Sequence, residues 1–343
     1  VKFTPLEVFP PMDLISRWAQ DTSVVGKVTF ALAVVVALLL IFRLLLLLAD
    51  HAPRIGRKKW QAALFLLPVT ILLLIGFLGP IVSTVTSSLT APGEGFVFLD
   101  NFVWAFTNPD AQRALGNTLL WVIIAPITAT VVGLVYAMLI DGSRSEAVAK
   151  ALVFFPTAIS FVGAAVIWGL MYQQPGLEPA GLVNVILGFF GLEPLGFPTN
   201  PLTVTPLMIV VMVWIQAGFA TVTLSAAIKA VPVEILEAAR IDGASSVQIF
   251  WRVILPSIQA TLIIVLVTIS VLTLKVFDLI KAFGADRFGG DTLANMMYTI
   301  YSQSDVGSIG EHYSSTLAMI IFLLVIPFLI LQIRQMRKNR AIR

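Results

Sequence analysis

Seven runs in this chain are apolar over roughly 20 residues, the length a helix needs to cross the hydrocarbon of a bilayer. They fall at 28–49, 62–83, 116–140, 151–171, 204–228, 260–282 and 315–333. Lipid offers the backbone no hydrogen bonds, so each run has to satisfy its own amides as a helix. The expected fold is an all-α polytopic membrane protein with about seven transmembrane helices. Glycine and proline inside the runs (Gly76, Pro126, Gly133, Gly163, Gly218 and Pro327) are compatible with this, because neighbouring membrane helices re-satisfy the groups they free. Composition agrees: 58% of the 343 residues are apolar and only 12% are charged, about half the charge of a soluble domain. Other classes fall away on the same grounds. A net charge of +3 leaves no nucleic-acid footprint, zero cysteines exclude disulfides and thiol catalysis, and two histidines, His51 and His312, are too few for a metal site.

Loop charge predicts the orientation. Arg54, Arg57, Lys58 and Lys59 follow the first run, Arg144 and Lys150 the third, and Lys229, Arg240 and Arg252 the fifth. Arg334, Arg337, Lys338, Arg340 and Arg343 close the chain, whereas the alternate loops hold only Arg113 and Arg287 among many acids. Basic loops stay in the cytoplasm, which predicts a cytoplasmic C-terminus and places residues 1–27 outside. That segment fits the rule least well, because it carries Lys2, Arg17 and Lys27. Residues 12–20 are expected to lie in the interface with Met12, Ile15 and Trp18 toward lipid. The first run is too long for a signal-peptide core, and no small-residue cleavage pattern follows it. The outer loops 84–115 and 173–203 carry aromatic residues, among them Phe96, Phe98, Phe102, Trp104 and Phe106. They serve either as interface anchors or as a docking surface.

The longest basic loop is the most specific part of the chain. Pro232 suits a first helical turn, and Glu234 and Glu237 suit its positive end. Ala238 and Ala239 favour helix and allow close approach, and Gly243 suits a helix stop that needs positive φ. Ser245 or Ser246 can cap a second short helix reaching about Leu255, with Pro256 expected to redirect the chain into the membrane. The product is a helix–turn–helix with a small-residue, charge-flanked knob, equally readable as an ordinary amphipathic loop. The order Glu237-Ala238-Ala239, then Asp242-Gly243, then Val253-Ile254-Leu255-Pro256 resembles the EAA loop of permease subunits of binding-protein-dependent ABC importers. Its carbohydrate-uptake branch is the most similar, in particular the larger membrane subunit of maltose and α-glucoside importers. Gly116-Asn117-Thr118 and the stretch 283–292 extend the likeness over about residues 60–335, although Gly289-Gly290-Asp291 departs from the family's T-x-G-G-P.

The resemblance implies a six-helix importer core plus one extra N-terminal helix. Residues 1–27 would be an outer or interfacial segment and 28–59 the extra helix with its basic loop. The transmembrane domain would occupy 60–335 with its coupling loop at 228–259, and 336–343 would be a cytoplasmic tail. It further implies a bacterial or archaeal inner membrane, a second, homologous permease subunit, two ATPase subunits that hold ATP and Mg, and an extracytoplasmic sugar-binding protein. No cofactor is expected on this chain, which has no G-x-x-x-x-G-K-[ST] phosphate loop. Glu237, Ala238, Ala239, Asp242, Gly243, Leu255 and Pro256 would seat the coupling helix in an ATPase cleft and drive alternating access.

A neutral sugar needs aromatic faces and hydrogen-bonding groups in a shielded cavity. Thr157 and Phe161 share a face of the fourth run, and Gln216 and Phe219 share one of the fifth, with Trp214 and Ile215 beside them. Ile269, Leu272, Thr273 and Val276 recur at helical spacing in the sixth. Counted from the loop motif without gaps, these positions fall where the maltose-type subunit contacts its sugar, and plain helix packing accounts for them equally well. Lys275 and Asp278, three apart in the sixth run, are expected to pair within the membrane, with Lys281 a turn beyond. Arg43 is within snorkelling reach of the basic side. Two rivals remain open. One is a related permease for glycerol phosphate or a polyol; the other is an ion-gradient-driven carrier, which calls for broken helices in repeated halves. No nucleophile–base set suggests an enzyme.

Overall fold

The computed structural model describes residues 24–50, 57–173, 181–305 and 307–341. The interfacial helix expected at 12–20 and the charged residues Lys2, Arg17, Arg54 and Arg343 lie outside the described residues. The chain divides into two compact units, residues 1–82 and 83–343. In the first, the apolar helix α1 (Val24–Asp50) is followed by α2 (Arg57–Ser88), which crosses the unit boundary and carries Pro68 and Pro80. The Gln61 amide donates to the Ala49 carbonyl at 3.2 Å.

The second unit opens with a two-stranded hairpin, β1 (Thr90–Ala91) and β2 (Gly95–Phe96). Helices α3 (Asp100–Thr107), α4 (Pro109–Ile140), α5 (Glu146–Phe154), α6 (Phe161–Met171) and α7 (Leu182–Phe189) follow. Next come α8 (Val204–Lys229), α9 (Val233–Ile241), α10 (Ser246–Ile249) and α11 (Leu255–Leu274). The chain then runs through α12 (Asp278–Phe283), α13 (Leu293–Gln303) and α14 (Ile309–Ala341). Helix α8 is the axis: 61% of its most apolar window is buried, against 39% for α4 and 17% for α14. Packing around it follows residue size. The buried residues of α4 are mostly small, Ala111, Ala114, Thr118, Ala125, Ala129, Gly133 and Ala137 beside the larger Trp121, Val122 and Ile140, while Ile123, Ile127, Val131, Val135 and Leu139 stay exposed. Between lipid-embedded helices dispersion and close approach drive packing, which favours small residues at the contact.

Among the described residues, five helices are long and apolar enough to cross a membrane, and a bent pair adds a sixth. That pair corrects the fourth run, expected as one continuous span. It breaks after a 3₁₀ turn at Phe155–Ala158, and its two parts meet at 102°. Pro156 withholds an amide, Ile159 and Ser160 are extended, and the Ser160 hydroxyl accepts the Gly163 N–H at 3.0 Å to start α6 afresh. The sixth run is also interrupted, since α11 ends at Leu274 and α12 begins at Asp278. The Val276 carbonyl freed there accepts the Thr292 hydroxyl at 3.2 Å.

Pro256 does not redirect the chain as expected. The helix runs uninterrupted from Ser246 to Leu274. A wide π turn at Phe250–Ile254 leads into α11, whose first turn holds Pro256. A proline lacks an N–H and crowds the carbonyl four residues earlier, and a wide turn relieves both.

Among the aromatic residues of the outer loop, Phe102 and Trp104 pack inward against Ala105, Ala114 and Leu317, and Trp104 stacks on Tyr313 with ring centroids 3.8 Å apart. Phe96, Phe98 and Phe106 stay exposed.

Candidate functional site

Three local constructions carry the chemistry. The first is the helix–turn–helix at the end of α8. Pro232 stands just ahead of α9 rather than inside it, and Glu234 lies in the first turn. Helix α9 ends as its residues demand: Gly243 has φ +80°, its N–H donates to Arg240, and the Ala244 N–H reaches back to the Ala239 carbonyl at 3.0 Å. Ser245 then restarts the chain with a reciprocal cap, accepting from the Gln248 N–H while the Gln248 side chain accepts from the Ser245 N–H at 2.8 Å. No residue of α9 is buried. Glu237, Ala238, Asp242 and Gly243 are exposed, Ala239 and Leu255 are half-buried, and Pro256 is exposed. Apolar Val233, Ile241, Val247 and Trp251 are 60–86% exposed on the same construction.

The second is an ion cluster at the same end, outside the apolar runs. Glu146, which opens α5, accepts from Lys150 and from Lys229, each at 2.6 Å, and Lys229 lies 3.6 Å from Asp141. Hydrogen bonds from Lys150 first, and Lys229 second, pull the Glu146 carboxyl down to about 2. The bond to Glu146 correspondingly raises Lys229.

The third surrounds the break between α5 and α6, at the depth of the middle of α8. The Thr157 hydroxyl donates to the Ile215 carbonyl at 3.2 Å. Phe161, Trp214, Ile215 and Val276 share one apolar cluster, while Phe219 and Ile269 belong to another. Ile215, Gln216, Ile269, Thr273 and Val276 are buried, Thr157, Phe161, Trp214 and Phe219 are half-buried, and Leu272 is 41% exposed. The apolar positions among the ten thus divide between two packing clusters and one exposed site. Lys275 and Asp278 are not joined either: no ion pair links them among the described residues, both are exposed across the break, and Lys281 pairs with Asp286 at 3.1 Å. Helical spacing no longer applies once α11 has ended at Leu274.

Sequence reasoning missed an aromatic series. Trp214 meets Trp168 edge-on at 5.6 Å, and Trp168, Tyr172, Phe197 and Phe283 follow at centroid spacings of 5.2, 5.0 and 4.9 Å. Phe197 and Phe283 also line a cavity of about 490 Å³ with Gln173 and Thr199. The four-residue spacing of Trp168 and Tyr172 was the available signal. Gly116-Asn117-Thr118 acquires a physical role as well. The Asn117 amide donates to the carbonyls of Gly289 and Asp291 at 2.7 and 2.8 Å, and the Thr118 hydroxyl accepts from the Leu293 N–H at 3.0 Å. Burial raises the Asp291 carboxyl above its ordinary range, opposed by hydrogen bonds from Asn295 and Thr292.

The profile of the family described as binding-protein-dependent transport system inner membrane component matches residues 129–340. The osmoprotective compounds uptake permease protein GgtC of Synechocystis is 39% identical over 252 residues, covering 73% of this chain and 89% of that one. The α-glucoside transport system permease protein AglF of Rhizobium meliloti is 38% identical over 274 residues, 79% of this chain and 81% of that one. The trehalose/maltose transport system permease protein MalF of Thermococcus litoralis is 28% identical over 83% of this chain and 96% of its own. A crystal structure of a bacterial ABC transporter involved in alginate import aligns with a TM-score of 0.66 and 26% identity over 84% of this chain and 97% of that chain.

Proposed function

The chain belongs to the family of binding-protein-dependent transport system inner membrane components, and from that premise we propose that it carries a sugar, an α-glucoside or a disaccharide such as maltose or trehalose, into the cytoplasm. It is a non-catalytic permease subunit of an ABC importer, and ATP hydrolysis is performed by separate ATPase subunits. In this reading those subunits bind ATP and Mg, a second permease completes the passage, and an extracytoplasmic binding protein delivers the sugar. The basic loops and the C-terminus face the cytoplasm.

The observation that carries the reading is α9, presented with no buried residue on a glycine stop at the basic end. Such a knob, with Glu237 available to pair with a basic group, fits a cleft on an ATPase. Closure of the ATPase dimer would displace α9 and tilt the bundle between inward- and outward-facing states. Interruption of α5–α6 beside Thr157, Ile215 and Trp214 supports a solute site at mid-depth, where broken helices expose polar groups. Broken spans were the mark expected of a gradient-driven carrier. Their presence here means that family membership, not that mark, separates the two classes. The likeness to AglF and MalF supports the substrate class.

A second reading, uptake of a polyol or another osmoprotective solute, is favoured by the likeness to GgtC. The complete transporter in liposomes, given labelled trehalose, maltose or a polyol with ATP inside, distinguishes them. Sugar uptake that Glu237→Lys or Gly243→Pro abolishes, with assembly intact, is the expected result. Polyol uptake without sugar uptake overturns the sugar assignment, and normal uptake by both variants overturns the coupling role.

A further inference from the structure

Helix α5 is fastened to α8 at both ends. At its start the Glu146 carboxylate holds Lys229, the last residue of α8, at 2.6 Å, and the Gly142 N–H at 3.3 Å orients the same carboxylate. At its finish the backbone of Val153 and Phe154 lies against Gly218 so closely that a Cβ there would stand 2.7 Å from the Phe154 Cα. Only Ala230–Pro232 separate Lys229 from α9, and Leu236 of α9 packs on the cluster that contains Ile228 and Val231. Two attachments make α5, the basic half of α8 and α9 one body. A displacement of that body is absorbed where the helix breaks, at the extended pair Ile159–Ser160 of the 102° bend.

We propose that the Glu146–Lys229 ion pair is the fastening that makes α5 travel with α9, delivering movement of the coupling helix to the bend at Ile159–Ser160. The inference rests on the coupling role of α9 proposed above. Glu146 and Lys229 are positioning residues: they touch neither solute nor nucleotide. The Lys229 side chain is 48% exposed, and Glu146, 16% exposed, keeps its bond to Lys150 at 2.6 Å when Lys229 is replaced, so losing this partly exposed pair should cost little stability. Its effect is therefore expected in coupling rather than in folding.

The test uses the complete transporter in liposomes and reads solute taken up per ATP hydrolysed. Lys229→Met and Glu146→Gln are expected to keep hydrolysis within about twofold while lowering uptake per ATP about fivefold or more, with Lys229→Arg close to native. Because the chain has no cysteine, Glu146→Cys with Lys229→Cys can be bridged by a short bis-maleimide, which should return most of the lost coupling. Native coupling in Lys229→Met and Glu146→Gln overturns the proposal. So does equal loss of hydrolysis and uptake, or a bridge that restores nothing. Glu237→Lys in the same preparation separates two failures. If it too couples normally, the role of α9 is wrong; if it alone uncouples, only the fastening is wrong.

Discussion

Gly218 of α8 meets Phe154 of α5 backbone to backbone, with no room for a side chain between them. The contact sits one turn beyond Trp214, so the bend in the fourth span is held against the same stretch of α8 that carries candidate solute contacts.

Filling that contact should be costly. Gly218→Val is expected to lose about 1–3 kcal/mol or to fail in assembly, since an overpacked site must push backbone aside. Gly188→Ala, where the added methyl would meet nothing within 4 Å, should be neutral. Thermal unfolding in detergent compares the two.

Gly243→Ala should cost about 1–2 kcal/mol locally, because φ +80° strains any residue with a Cβ. Hydrogen exchange at the amides of Asp242 and Ala244, which close the end of α9, should speed up accordingly. Unchanged protection would mean that the helix stop does not depend on glycine.

Asn117→Asp should destabilise the protein as much as Asn117→Ala. The aspartate keeps the shape but cannot donate to the half-buried carbonyls of Gly289 and Asp291, and each hydrogen bond lost costs about 0.5–1.5 kcal/mol. A stable Asp variant would exclude this role for the amide.

Asp291→Asn should stabilise at neutral pH. Burial raises the carboxyl, so the folded state binds its proton more tightly than the unfolded one. Native stability is then lost as pH rises from the ordinary carboxylate value through the raised one, and the asparagine variant escapes that loss. The gap between the two melting temperatures should narrow as pH falls, which a melting series across acidic and neutral pH would show.

Trp214→Ala should raise the half-saturating solute concentration about five- to tenfold, the worth of one aromatic face. Val135→Ala, on the exposed side of α4, should leave it unchanged. Equal effects in transport assays would reduce Trp214 to packing.

Local chemistry explains what was legible. The stop at Gly243 and the cap at Ser245 depend on residues within five positions of one another, and both form as their types require. The Lys275–Asp278 pairing failed because it assumed a helix that Leu274 ends. Helical spacing places Gln216 and Phe219 on one face of a helix but does not say which face the bundle encloses. Nothing local announces that Asn117 reaches Asp291, or that Trp168, Tyr172, Phe197 and Phe283 form one series with Trp214.

The amino-acid sequence by itself determined the long apolar helices, the helix stop at Gly243 and the family likeness, because length, hydropathy, proline, glycine and capping act over one to five turns of chain. Only the tertiary structure decided which face of each helix is enclosed, where two spans break and which distant residues meet. The reason is the solvent: lipid is as apolar as the side chains it touches, so hydrophobic pattern cannot mark the inside. Small residues such as Gly133 and Gly218, and the partners they admit, do so instead.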